Sequence, residues 1–279
     1  MATPAPVSLS NIYLSCVFRE FKNNFDKLFN NHTSLSEEDV RYALYLAFYK
    51  NIKKIENIYL EFPYDRLVPN YSDIFRKNKN GVVNELDALI FNDNPNHDEC
   101  YLFEIKYHRR KKNTTSNRTK RAGDILNDIE RLHVISGIYN EKCIPENVKI
   151  RKFFVYFTDD EMIDYYSENY KKNCFLDFYF KNQKTINFDK FTSNCSNTFR
   201  DAARKSFNPN FSDPNDYVIR EFDSADFKSS KPELELKIYE VIDNPVNSLS
   251  IKEREETKVE VSNNKTESKI LEKLRKVKF

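Results

Sequence analysis

Three charged residues sit where buried strands want apolar ones. Asp87 interrupts the run LDALIF (residues 86–91), and Glu104 and Lys106 interrupt YLFEIKY (residues 101–107). A charge taken out of water is costly unless it is paired or holds a metal. Side chains alternate across an extended strand, so Glu104 and Lys106 share one face, about 6.6 Å apart. Tyr101, Phe103, Ile105 and Tyr107 take the other face, which reads as the core side. A hairpin closing through the turn-rich segment 92–99 brings Asp87 level with Glu104. Two facing carboxylates beside an ammonium group form an oxygen-donor pocket suited to a hard divalent cation such as Mg2+.

Several elements must position these groups. Residues 11–30 carry apolar side chains at helical spacing. A second helix starts at Ser36, an N-cap with Asp39 three residues on, a capping-box pattern with the shorter acid. At 100° per residue, Val40, Leu44, Ala47, Phe48 and Asn51 form its buried stripe, and Glu37 falls within it while Glu38 turns away. Strands follow at 57–64, 81–91 and 100–108, the first ended by Pro63 and followed by a polar stretch to about residue 80. A helix over 122–140 turns Ile125, Ile129, Leu132 and Ile135 inward, and a buried strand over 151–160 runs into the acidic helix start Asp159, Asp160 and Glu161. This order predicts an α/β domain with a mixed central sheet: an antiparallel beginning, then a crossover helix to a parallel strand.

Asp87, then Glu104-Ile105-Lys106 on the next strand, after a helix carrying Glu37, resembles the PD-(D/E)XK nuclease superfamily, the restriction-endonuclease-like fold. The resemblance implies an αβββαβ core flanked by helices, within a domain over residues 33–195. It implies that Asp87, Glu104 and the main-chain carbonyl of Ile105 hold Mg2+ or Mn2+, that Glu37 completes the metal shell, and that Lys106 orients the attacking water. Leu86 stands where the family's name has proline. The implied activity is endonucleolytic cleavage of DNA, rather than RNA, in restriction or phage defence, by a homodimer where both strands are cut. The basic run after the motif, Arg109, Arg110, Lys111, Lys112, Arg118, Lys120 and Arg121, contains no acid. Such a run adds salt-dependent affinity for a phosphate backbone.

The chain as a whole narrows the field. Its 45 Lys plus Arg against 43 Asp plus Glu leave a formal charge of +2, so only local clusters speak of partners. Three glycines and no glycine-rich phosphate loop argue against a nucleotide-binding motif. Five scattered cysteines without a CxxC pair, and four scattered histidines, show no zinc spacing and suit an intracellular protein with reduced thiols. The start MATPAPVSLS lacks the basic flank and apolar core of a signal peptide, and no run approaches a membrane span, so a cytoplasmic protein is expected. Residues 1–32 read as an N-terminal helical segment, 196–230 as a polar extension, and 231–279 as a charged, flexible tail that could dock a protein partner. Glu61 reads as an edge-strand charge, His97-Asp98-Glu99 as a solvated turn, and His108 and His133 have no evident partner. Two other readings compete with the nuclease: a non-cutting nucleic-acid binder of the same fold, and a subunit that works through its tail.

Overall fold

The structure, a computed structural model, describes residues 9–31, 35–52, 54–77, 81–92, 98–109, 117–137, 139–227 and 233–243. Apolar strands are laid down in two groups. The first comprises β1 (Ile58–Pro63), β2 (Glu85–Phe91), β3 (Glu99–His108) and β4 (Lys149–Asp159); the second comprises β5 (Gln183–Asn187), β6 (Asp216–Phe227) and β7 (Leu234–Asp243). They form one seven-stranded mixed sheet in the order β1-β2-β3-β4-β7-β6-β5. Only β3 and β4 pair in parallel, joined through the helix α5 (Arg118–Gly137), and the remaining neighbours are antiparallel.

Both faces of the sheet are covered, which is why β3 and β4 read as near-continuous apolar runs. On one face lie α1 (Leu9–Asn31) and α2 (Glu37–Asn51), packed on Tyr101, Phe103 and Ile105 of β3. Phe18, Phe21 and Phe25 of α1 are fully buried there, each worth about 1.5–3 kcal/mol of apolar burial. The residues 1–32 read as a separate segment therefore include a helix that belongs to the main core. On the other face Cys100 and Leu102 meet Ile125, Leu126 and Ile129 of α5. The second face of β3 is thus also core, up to Glu104. The five cysteines are unpaired.

The sequence misleads most at the chain's later strands. Residues 196–230 are not a polar extension, and the segment after 231 is not all tail: after α7 (Phe188–Ser193), α8 (Asn197–Ala203) packs on α5, and β7 lies between β4 and β6. Leu234, Leu236 and Ile238 of β7 are buried against the α1–α2 layer. Its opposite face carries Glu235 and Lys237, which mimic a solvated run, yet Lys237 Nζ lies 2.9 Å from Glu221 Oε2 and Tyr179 Oη donates to Glu235 at 2.5 Å. Residues 244–279 fall outside the described residues, as do His97 and the rest of 93–97.

Smaller corrections follow the same logic. The stretch before residue 80 holds two short helices, α3 (Tyr64–Leu67) and α4 (Tyr71–Ile74), which bury Tyr64, Leu67, Tyr71 and Ile74. The apolar run Cys174–Phe180 is a 3-10 helix, followed by β5 from Gln183. Asn51, expected in the buried stripe of α2, is exposed and donates to the Ala47 carbonyl at 2.7 Å. The acidic start at Asp159 does open a helix, α6 (Asp160–Asn169). No helix among the described residues is long and apolar enough to cross a membrane.

Candidate active site

Strand register sets the core of the site. Ala88 of β2 pairs with Phe103 of β3, so one step further Asp87 stands across from Glu104. On the other side Leu60 pairs with Ala88 and Phe62 with Leu86, which sets Glu61 of β1 opposite Asp87. Three carboxylates therefore stand abreast on adjacent strands. Glu61 adopts a left-handed backbone with φ of 51°, uncommon for a non-glycine residue, and points its carboxylate to Arg41 rather than along the strand.

Glu37 reaches the same place from α2. The capping box locks the first turn, with Asp39 N–H donating to Ser36 Oγ and Ser36 N–H donating to Asp39 Oδ2 at 2.7 Å. Glu37 is thereby turned inward, where it accepts from the Tyr107 N–H at 3.2 Å and lies 3.6 Å from Lys106 Nζ, while Glu38 is exposed. All four proposed chemical residues, Glu37, Asp87, Glu104 and Lys106, line one cleft of about 280 Å3. The Ile105 side chain is buried on the opposite face, and its N–H donates to Asp87 Oδ2 at 2.6 Å.

The carboxylates are matched oxygen by oxygen. Asp87 Oδ1 lies 2.9 Å from Arg41 Nε. Glu104 accepts from Tyr64 Oη at 2.5 Å through Oε1 and pairs with Arg131 at 2.6 Å through Oε2. Asp128 pairs with Arg131 at 3.1 Å and with Lys106 at 3.2 Å. Burial pushes Glu104 well above the usual carboxylate range, and the Asp87 and Asp128 charges add to it against the pull of Arg131. Asp87 is also raised by burial, in spite of Arg41. For Asp128 burial loses to Lys106 and Arg131, which hold its carboxyl well below the usual range. Lys106 is buried too, but Asp128, Glu37 and Asp87 keep it firmly protonated.

Four participants escape a sequence reading made motif by motif, Arg41, Tyr64, Asp128 and Arg131, while Glu61, which reads there as an edge-strand charge, also lines the cleft. Arg41 had a signal, since it lies one turn after Glu37 on the same side of α2. Asp128 and Arg131 had a fainter one, as polar interruptions beside the apolar stripe of α5. Tyr64, directly after Pro63, had none. Of the proposed phosphate grip, Arg110, Lys111 and Lys112 lie outside the described residues. Arg109, Arg118, Lys120 and Arg121 do not line the cleft. Arg121 donates to the Arg109 carbonyl at 3.5 Å, and the Arg118 guanidinium sits 5.4 Å from the Tyr165 ring centre. His108, two residues beyond Lys106, is kept neutral by burial and by Lys106 and Arg121, and its ring faces Tyr156 Oη at 3.3 Å.

Whether these residues suit a divalent cation turns on their charge and donors. As the side chains stand, no three His, Cys, Asp or Glu among the described residues converge on a metal position. The chemistry of the set nevertheless fits. Six acids (Glu37, Glu61, Glu85, Asp87, Glu104, Asp128) and four bases (Arg41, Lys106, Arg131, Lys205) line the cleft, a formal charge of −2. The donors are hard oxygens, as Mg2+ and Mn2+ prefer. Burial is the main cause that raises Asp87 and Glu104, with Arg41 and Arg131 pulling against it. The chain matches no protein-family model, no curated protein and no solved structure.

Proposed function

We propose that the chain is a divalent-cation-dependent endonuclease of the PD-(D/E)XK type, hydrolysing phosphodiester bonds in DNA. One observation carries the reading: Asp87, Glu104, Lys106 and Glu37, from three separate elements, line a single cleft with two surplus negative charges. The order α2-β1-β2-β3-α5-β4, with β3 and β4 parallel, supports it, since the family's core runs αβββαβ. DNA is the substrate that the resemblance favours.

Asp87 and Glu104 would hold Mg2+ or Mn2+, with Glu37 contributing directly or through water. When bound there, the cation would supply Lewis-acid activation of water and neutralisation of charge on the phosphate. The chain's own residues do the rest. Lys106, kept protonated by Asp128 and Glu37, presents N–H donors that orient the attacking oxygen and stabilise negative charge as it develops. Asp128 and the Tyr107 N–H hold Lys106 and Glu37 in place, and Tyr64 fixes the rotamer of Glu104.

The test is plasmid cleavage in Mg2+, Mn2+ or EDTA. Wild type should nick or linearise DNA only with metal. Asp87→Asn and Lys106→Ala should lose at least 100-fold in rate, roughly the value of one transition-state donor. Undiminished cutting by Lys106→Ala would falsify the assignment.

A further inference from the structure

Each central carboxylate of the cleft is bound twice, once by a neutral donor and once by an arginine. Asp87 has the Ile105 N–H and Arg41, and Glu104 has the Tyr64 hydroxyl and Arg131. Neither arginine depends on that carboxylate alone. Arg41 also meets Glu61 at 2.8 Å and Glu37 at 3.6 Å, and Arg131 also meets Asp128 at 3.1 Å. Both guanidinium groups thus bridge an acid on β2 or β3 to a second acid of the cleft, Glu61 or Glu37 for Arg41 and the equally buried Asp128 for Arg131. Arg131 makes both contacts through one terminal nitrogen and its buried Nε has no hydrogen-bond acceptor among the described residues, so its donor capacity is not used up.

That arrangement has a consequence for ligand order. A cation at Asp87 and Glu104 competes with the two arginines for Asp87 Oδ1 and Glu104 Oε2, because the other oxygen of each carboxylate already accepts from a neutral donor. A phosphodiester meets a cleft of charge −2 when the cation is absent, and a neutral one when it is present. The displaced guanidinium groups remain tethered to Glu61, Glu37 and Asp128. They then offer the forked N–H donors that match phosphate oxygens.

Resting on the nuclease reading, we propose that Arg41 and Arg131 form an exchange device. In the free protein they occupy the carboxylates, and on loading they release them to the cation and turn to the backbone phosphate. Cation and polynucleotide therefore bind cooperatively, and the coupling is reciprocal. Arg41 is the residue to test first. It is partly exposed, and its removal leaves Asp87 with the Ile105 N–H, so the variant should fold.

The experiment is calorimetric titration of Mn2+ into the full chain, with and without a short phosphorothioate DNA duplex that is slow to hydrolyse. Wild type should bind Mn2+ more tightly with DNA present, by about 5- to 150-fold, and bind DNA more tightly with Mn2+ by the same factor. Arg41→Gln should bind Mn2+ alone about 10-fold more tightly, since a charged competitor is gone, and should lose most of the coupling. A residue of purely structural importance would weaken both. Arg131→Lys, checked by circular dichroism, should keep part of the coupling because it keeps the charge. If Arg41→Gln binds Mn2+ alone no better, or retains the full coupling, the exchange is overturned while the nuclease reading stands. If wild type and Glu104→Gln take up Mn2+ equally, or neither takes it up, the nuclease reading itself fails and the exchange falls with it.

Discussion

His133, on α5 and nine-tenths buried, should make the protein lose stability in alkali. Its Nε2 lies 3.3 Å from Asp213 Oδ2 and its Nδ1 lies 2.9 Å from Asp243 Oδ1, and the ring stacks on Tyr217 at 4.1 Å. Burial disfavours the charged ring, and Lys152, 2.6 Å from Asp243, works in the same sense. The Asp213 and Asp243 carboxylates, aided by Glu130, outweigh them and lift the pKa to about 9 from 6.5. A histidine raised on folding contributes stability that is complete below 6.5 and lost as pH climbs through 9. The interval corresponds to about 3 kcal/mol. Buried Glu130, lifted to about 8 chiefly by burial, shifts stability in the same direction, since its neutral form is the one the fold prefers. Urea unfolding of wild type at pH 6.5 and at pH 9.5 should therefore differ by about 3 kcal/mol or more, about 6–12 °C in Tm for a domain of this size. His133→Gln should be the weaker protein at pH 6.5, with the gap closing by pH 9.5. Parallel pH profiles for the two proteins would refute the reasoning, because the loss would then come from other groups.

Two further substitutions probe the packing that positions the site. Tyr64→Phe keeps the buried ring but deletes the donor to Glu104, and should cost about 1.5–3 kcal/mol in urea unfolding with an unchanged m-value. A loss below about 0.5 kcal/mol would show that the hydroxyl does not satisfy Glu104. Gly123→Ala should destabilise by about 1–3 kcal/mol in the same assay, because a Cβ on this turn of α5 would strike the Phe199 carbonyl and lie 2.7 Å from the Ala202 Cβ of α8. An unchanged melting temperature would mean that the two helices separate freely.

What could be read from the chain was what local rules govern. The Ser36–Asp39 capping box aims Glu37, the 3.6-residue period places α5, and two-residue alternation with a hairpin sets Asp87 against Glu104. Each involves residues near in sequence, or one turn apart on a strand pair, so spacing alone specifies them. The arginines that hold these acids answer to no such rule. Arg41 meets Asp87 and Arg131 meets Glu104 only because α2 and α5 pack on opposite faces of the same strands. β7 hid for a related reason. Its Glu235 and Lys237 look solvated until β6 and the 3-10 helix supply Glu221 and Tyr179 from distant positions. The residue types able to do chemistry were thus set by the sequence. Only the tertiary structure decided which charges compensate which, because an ion pair depends on distance in space and carries no period along the chain.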